Sequence, residues 1–575
     1  MNLIQTLFKI LILEESNKKN WPEDLDGWAD SYAAILVEIQ RVKKQIEGPE
    51  SKGLNVEEHR SFLYRWLNEH SNGISSKGQS IISGDKFKNV IEDAGFLDTF
   101  KRYLVDPNLE NYNSIKGKWK ETVKVDNAVI YNRAAAAVNT NLTCVVHETK
   151  FYQVIRYLQQ NVNYQENITY NWYEDNINLT KWLDDQLSDY KNDFSTKIKK
   201  KDSAELWPVW RNIFVWVLFG FNPGMFDLKK NIVKYGPPGT GKTYTCKIDA
   251  ANHFALWKGI YRPEYSKNVV THTETIQFHP SFTYEDFMEG IKPVLNEQGK
   301  SELKLVNGIF KSICKKAASW EMDIYRLMAD RDWNKQPFSD LRIKEIKDKL
   351  SGERWTFLSE LEDNDDNNPK YVHDYIPPFY LIIDEINRAE LSRVMGELML
   401  CLEYRGLAGK IKTQYGYLSK EGEETDFWRV GEDNYFFVPN NLFILATMNT
   451  IDRSVESFDF ALRRRFRWLE VPPDYEVLSQ YLSNKKVDDN GITQLVKGLV
   501  ALNDQIASHA LLGKDFQIGH AYFMNLPEMT YKMKVKDFKN EIWSNFIQPL
   551  LEEYLRGTGE IDGEINKLKT SFGIK

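Results

Sequence analysis

The residues best suited to chemistry form one run, Gly236-Pro237-Pro238-Gly239-Thr240-Gly241-Lys242-Thr243. It satisfies the spacing G-x-x-x-x-G-K-[ST] completely, and the chemistry accounts for the spacing. The glycines let backbone N–H groups wrap a phosphate chain at a helix N-terminus, the lysine neutralises β/γ charge, and the threonine hydroxyl holds Mg²⁺. Tyr244 follows directly and completes the candidate nucleotide-binding set. A second run, Phe379-Tyr380-Leu381-Ile382-Ile383-Asp384-Glu385, is apolar and ends in two acids. With Thr243, Asp384 is the candidate Mg²⁺ holder, and Glu385 is the candidate for polarising an attacking water. Many strands end in acids. Behind a complete phosphate loop, in this order, the pair implies a P-loop nucleoside triphosphatase.

Such residues need a parallel sheet to hold them. Four short apolar runs, at 232–235, 275–278, 379–383 and 442–446, are separated by helical stretches, the pattern of a doubly wound α/β domain. Residues 1–200 read as mostly helical, with Ala33, Ile35, Leu36, Ile39 and Val42, and again Val154, Ile155, Tyr157 and Leu158, at helical spacing. The chain is helical again from 475, where Trp543, Phe546, Ile547, Leu550 and Leu551 fall on one expected face. The expected organisation is an N-terminal recognition or partner region at 1–200, an α/β nucleotide-binding domain at 201–474 and a helical lid at 475–575. Residues 330–374, with the acidic run Asp363 to Asn368, read as an insertion carrying a mobile loop. Lysines 197 and 199–201 read as a solvated linker.

Composition narrows the function classes. The chain has 575 residues, 42% hydrophobic and 27% charged, enough apolar content for several cores and too much for intrinsic disorder. A net charge of -7 excludes a generally basic nucleic-acid coat. Cys144, Cys246, Cys314 and Cys401 lie far apart with no CxxC pair, which argues for a reducing compartment and against a cysteine zinc site. The most apolar stretch, 207–221, contains Pro208, Arg211 and Asn212 and reads as a buried helix, not a membrane span. A cytoplasmic protein with no membrane partner is expected.

Further motifs sharpen this. Leu381-Ile382-Ile383-Asp384-Glu385-Ile386-Asn387-Arg388-Ala389 is followed by Ala446-Thr447-Met448-Asn449-Thr450-Ile451-Asp452-Arg453-Ser454 and by Ala461-Leu462-Arg463-Arg464-Arg465-Phe466. With 277–287 and Gly519-His520-Ala521-Tyr522-Phe523, the set resembles the McrB family of AAA+ motor subunits from modification-dependent restriction systems. The resemblance covers about 207–555 and leaves 1–200 uncovered. It implies an α/β P-loop AAA+ module: a parallel sheet with flanking helices and a helical C-terminal lid, preceded by a mainly helical N-terminal region. It also implies catalytic roles: Asn449 as a sensor orienting water beside Glu385, Asp452 and Arg453 as a signature pair near the subunit boundary, and Arg464 and Arg465 as fingers reaching a neighbouring subunit's γ-phosphate. A homo-oligomeric ring, a hexamer, follows from such fingers. His520 stands near the place where many AAA+ proteins carry a second sensor arginine, and the histidine is a departure.

The resemblance favours GTP over ATP as substrate, with Mg²⁺. A guanine-reading motif is absent, since Asn484-Lys485-Lys486-Val487-Asp488 is one residue too long. It further implies DNA, modified in some members, as a partner and a separate McrC-like nuclease subunit. Glu148-Thr149-Lys150 loosely resembles a nuclease core end, but similar tripeptides at Glu302 and Glu345 favour chance, so the chain is not expected to cut DNA. The stretch 161–182 is rich in Asn, Tyr and Trp; buried aromatic anchors are favoured over base stacking. The alternative function is an ATP-dependent, MoxR-like protein-remodelling chaperone.

Overall fold

The computed structural model describes residues 3–13, 25–48, 53–68, 73–74, 84–123, 128–162, 164–192, 207–221, 225–226, 228–296, 298–361, 363, 370–451, 460–556 and 561–574. The linker lysines lie outside them.

The N-terminal region is helical. α1 (Leu3–Phe8) buries Ile4, Leu7 and Phe8. α2 (Leu25–Glu47) buries Trp28, Tyr32, Ile35, Ile39, Val42 and Ile46, a stripe at three- and four-residue spacing. α3 (Glu148–Asn161) adds Phe151, Val154, Ile155 and Leu158. α4 (Trp207–Phe221) lies in the same core, which contains Trp207, Trp210, Phe214 and Leu218. Its buried cation is satisfied: Arg211 pairs with Asp184 at 2.9 Å and donates to the Thr140 carbonyl at 2.5 Å. Among the described residues no helix is long and apolar enough to cross a membrane. The aromatic stretch is structural for the most part, with Trp172 and Tyr173 buried and the Trp172 indole N–H donating to the Val145 carbonyl at 3.1 Å.

The α/β part is built on five parallel strands: β1 (Asn231–Gly236), β2 (Thr273–Gln277), β3 (Phe379–Asp384), β4 (Leu442–Asn449) and β5 (Arg467–Glu470), in spatial order 2-3-4-1-5. The three inner strands are near-continuous apolar runs because helices cover both faces. β5 escaped the sequence pattern because an edge strand pairs on one side only, and Arg467-Trp468-Leu469-Glu470 carries charge at both ends. α5 (Lys242–Tyr261) leaves the phosphate loop and packs on the sheet through Cys246, Ala250 and Phe254. Its far end enters the N-terminal core: Leu256 belongs to that core, and a side chain at Gly259 would meet Ile10 at 2.5 Å.

Residues 330–361 form short helical turns. Asp363, read from sequence as part of a mobile acidic loop, is instead buried. Arg342 donates to its two oxygens at 3.1 and 2.8 Å and, mainly through those hydrogen bonds, lowers its carboxyl to about 2. The rest of that acidic run lies outside the described residues. The lid contains α6 (Tyr475–Asn484), α7 (Asp489–Ser508) and α8 (Ile561–Ser571) around its own core. The predicted apolar face at its C-terminal part is narrower than expected. Trp543–Ile547 is a π-helical turn, which keeps Trp543, Ile547 and Leu551 inward and leaves Phe546 39% exposed. All four cysteines are buried free thiols.

Candidate nucleotide site

The C-terminal ends of β1, β3 and β4 form one edge of the sheet, with Gly236 level with Asn449 and Asp384 level with Gln277 of β2. Ligands of open α/β sheets bind outside this edge. Gly236, Gly239 and Gly241 adopt φ of 148°, 75° and 74°, conformations that carry the loop from strand to helix and that side chains disfavour. Lys242 sits inside the loop, its ammonium donating to the carbonyls of Gly236 at 3.1 Å and Pro237 at 2.7 Å. Thr240 caps the turn by donating to the Pro237 carbonyl at 3.0 Å, and Pro238 is half-buried. Tyr244 is 70% exposed.

Around the loop the acids are already wired. The hydroxyls of Thr243 and Thr447 donate to the same oxygen of Asp384, at 2.5 and 2.6 Å. Thr447 also accepts from the backbone N–H of Glu385 at 3.1 Å. Glu385 stands at φ 52°, a left-handed conformation in a non-glycine residue, which turns its side chain off the strand end. The Asn449 amide donates to Glu385 Oε1, and Arg388 lies 3.7 Å from Glu385 Oε2. Asn387 donates to the Asn449 carbonyl at 3.4 Å. The structure brings together Asp384, Glu385 and Thr243, expected from the sequence spacing, and Asn449, expected from the resemblance; the sequence reading did not single out Thr447. The signal for Thr447 was its place two residues before Asn449 on the same strand. The hydroxyl and carboxylate oxygens of Thr243 and Asp384 are the hard donors that Mg²⁺ takes beside nucleotide phosphates, and the site fits that ion.

The lid closes on the loop through Gly519, His520 and Ala521. Ala521 N–H donates to the Gly239 carbonyl at 2.9 Å, and any side chain at Gly519 would strike Gly239 at 2.1 Å. The Tyr522 ring covers Gly239. His520 Nδ1 accepts from the Asp474 N–H at 3.0 Å, which leaves the proton on Nε2, the nitrogen that faces Gly241. Burial lowers the His520 pKa, against a smaller opposing pull from Asp474, so the ring is neutral.

Arg464 and Arg465 lie at the other edge of the sheet. Both pair with Glu403, at 3.3 and 2.9 Å; Arg465 also donates to the Met399 carbonyl at 2.7 Å, while its own carbonyl accepts from Asn231 at 3.2 Å. Arg464 is 65% exposed and Arg465 is buried to 9%. With Lys229 and Arg405 they line a cleft of about 390 Å³. Arg463 instead stacks on Trp468 at 5.2 Å. Asp452 and Arg453 lie outside the described residues. Elsewhere the near-miss motifs find structural uses: Asp488 accepts from the Gly491 N–H at 2.9 Å as a helix cap, and Glu148 opens α3. His279 and Pro280 are exposed.

A parallel 2-3-4-1-5 sheet with this loop, acid pair and polar strand end, under a helical lid, defines an AAA+ module of the nucleotide-hydrolysing P-loop class. Residues 231–466 match the AAA domain (dynein-related subfamily), and residues 494–562 match the McrB alpha-helical lid domain. The chain is 32% identical over 333 residues to the type IV methyl-directed restriction enzyme EcoKMcrB subunit of Escherichia coli K12, covering 57% of this chain and 54% of that protein. It is 26% identical over 255 residues to the type II restriction enzyme BsuMI component YdiS of Bacillus subtilis 168, covering 43% and 58% respectively. The chain thus spans little more than half the length of these relatives. Within that span, its AAA domain and lid are similar to those of McrB-type AAA+ subunits.

Proposed function

We propose that this chain is the nucleotide-driven motor of a restriction system, working as a homo-oligomeric ring, a hexamer, on DNA for a separate McrC-like nuclease subunit. GTP is its preferred substrate. We divide it into a recognition region at 1–200, a motor domain at 201–474, whose first helix α4 packs in the N-terminal core, and a lid at 475–575. The observation that carries the motor reading is the separation of the two charged sets to opposite edges of one sheet. Arg465 sits beside Asn231 at the start of β1, and the phosphate loop starts at its end, about 15 Å away at strand spacing. As placed here the arginines do not reach their own phosphate loop, which supports the reading that they act on a neighbouring subunit's loop.

We assign each of these residues a role in hydrolysis. The loop amides and Lys242 hold the triphosphate, with Lys242 exchanging its two carbonyl acceptors for phosphate oxygens. Mg²⁺ held by Thr243 and Asp384 supplies charge neutralisation on the phosphates. Glu385 takes the proton of the attacking water, and Asn449 holds that carboxylate in place. Arg464 and Arg465 stabilise the transition-state charge from the adjacent subunit, and for Asp452 and Arg453 the resemblance implies a role near the same subunit boundary. Tyr244 contacts the nucleotide's periphery. Two relatives from restriction systems support the setting, and no nuclease role is assigned to this chain. The test is hydrolysis of GTP and ATP by the purified protein, alone and with a McrC-like nuclease subunit, together with duplex-DNA binding. Partner-stimulated GTP hydrolysis and DNA binding are expected. ATP hydrolysis indifferent to any nuclease, without DNA affinity, would replace this reading with a protein-remodelling chaperone.

A further inference from the structure

Two of the contacts that the N-terminal region makes with the rest of the chain lead toward the nucleotide site. One is apolar, where Ile10 lies on Gly259 of α5, the helix that begins at the phosphate loop. The other is ionic. Lys150, on α3, reaches Glu476 in the first turn of α6 at 3.5 Å, with its ammonium also 5.3 Å above the Phe219 ring of α4. Glu476 is poorly placed without that cation. Its Oε1 is buried with no hydrogen-bond partner, and burial raises its carboxyl to about 7, with Lys150 pulling the other way.

Two residues earlier, Asp474 caps α6 by accepting from the N–H groups of Glu476 and Val477, both at 2.9 Å. The N–H of Asp474 itself is the donor that fixes His520, and His520 faces Gly241. Continuous contacts therefore run from α3, through one ion pair and one helix cap, to the side of the phosphate loop that the lid covers.

We propose that Lys150 is a positioning residue for the nucleotide site: by holding Glu476 it fixes the cap of α6, and through Asp474 it holds His520 and Ala521 against the phosphate loop. This rests on the nucleotide reading given above and adds to it a route between the N-terminal region and the lid. Loss of the cation leaves a buried carboxylate that must take a proton or swing to solvent, and either outcome loosens the first turn of the lid. Because the effect acts on how the lid closes over bound nucleotide, it falls on KM and leaves kcat nearly alone.

The experiment uses the full chain, comparing wild type with Lys150→Met, Lys150→Arg, Glu476→Gln and the charge-swapped pair Lys150→Glu with Glu476→Lys. KM and kcat are measured for GTP and ATP, and melting without nucleotide checks that each variant is folded. Lys150→Met and Glu476→Gln are expected to raise KM about five- to tenfold with kcat within about twofold. Lys150→Arg stays close to wild type, and the swapped pair recovers most of the loss. Unchanged KM in folded Lys150→Met and Glu476→Gln overturns the inference, as does a folded swapped pair no better than either single variant. Should a single variant melt without cooperativity, failure of Lys150→Arg to hold the wild-type KM overturns it instead. A wild type that neither binds nor hydrolyses nucleotide is a different failure, which removes the nucleotide reading and this inference with it.

Discussion

The two edges of the central sheet differ in how their charges are satisfied. At the C-terminal edge every proposed catalytic group is held by another on the same chain: Thr243 and Thr447 on Asp384, Asn449 on Glu385, Lys242 on its own loop. At the N-terminal edge Arg464 and Arg465 share one carboxylate, Glu403, and the first of them is mostly in water. The first edge is complete before any ligand arrives. At the second, Arg464 is exposed while Arg465 is buried against Glu403 and the Met399 carbonyl, and in the proposed function this pair acts on a neighbouring subunit.

Mixing subunits tests that difference most severely. Arg464→Ala and Arg465→Ala are each expected to cut turnover by up to about 10³-fold, the lower range for such fingers, without weakening nucleotide binding. Combining Arg464→Ala with Glu385→Gln subunits should restore part of the activity, since some interfaces then carry both intact sets. No recovery, with oligomers shown to exchange, would put the arginines in service of their own site. Glu385→Gln by itself should lower turnover about 10²- to 10⁴-fold while nucleotide affinity measured by fluorescence titration stays level.

Smaller effects probe the wiring of the first edge. Thr447→Val removes the hydroxyl shared by Asp384 and the Glu385 amide, and a rate loss of about tenfold with about 1–3 kcal/mol of stability is expected from turnover and denaturant melts. Gly239→Ala forces a side chain into φ 75° and within 2.7 Å of the Tyr522 ring, costing about 1–3 kcal/mol. The smallest effect is on pH. Glu476 binds its proton more tightly folded than unfolded, so its contribution to stability is full below pH 4.5 and lost as pH rises through about 7. Glu476→Gln should flatten that part of the stability–pH curve.

Part of the nucleotide edge was legible in the sequence, because the groups there sit at a strand end or loop whose spacing is fixed by phosphate geometry. Gly236 to Thr243 and Asp384-Glu385 are of this kind, and Asn449 was reached through the family resemblance. Thr447 was not legible, since a threonine inside an apolar strand looks the same whether it packs or bonds a carboxylate. The Lys150–Glu476 pair was invisible for a different reason: its partners are 326 residues apart, and nothing local to either announces the other. The sequence also carries no sign that α4 packs with the N-terminal helices or that Asp363 is pinned by Arg342, because both depend on which surfaces meet in three dimensions.

Gly259 gives the N-terminal region a shape requirement as well as a chemical one. Gly259 lies in the last turn of α5, where alanine would be the better helix former, and here the vacancy is filled by Ile10. The helix that carries the phosphate loop thus has a socket cut into its far end. Any chimera that replaces the first 200 residues must bring a plug of matching form, or leave a hole at the root of the motor.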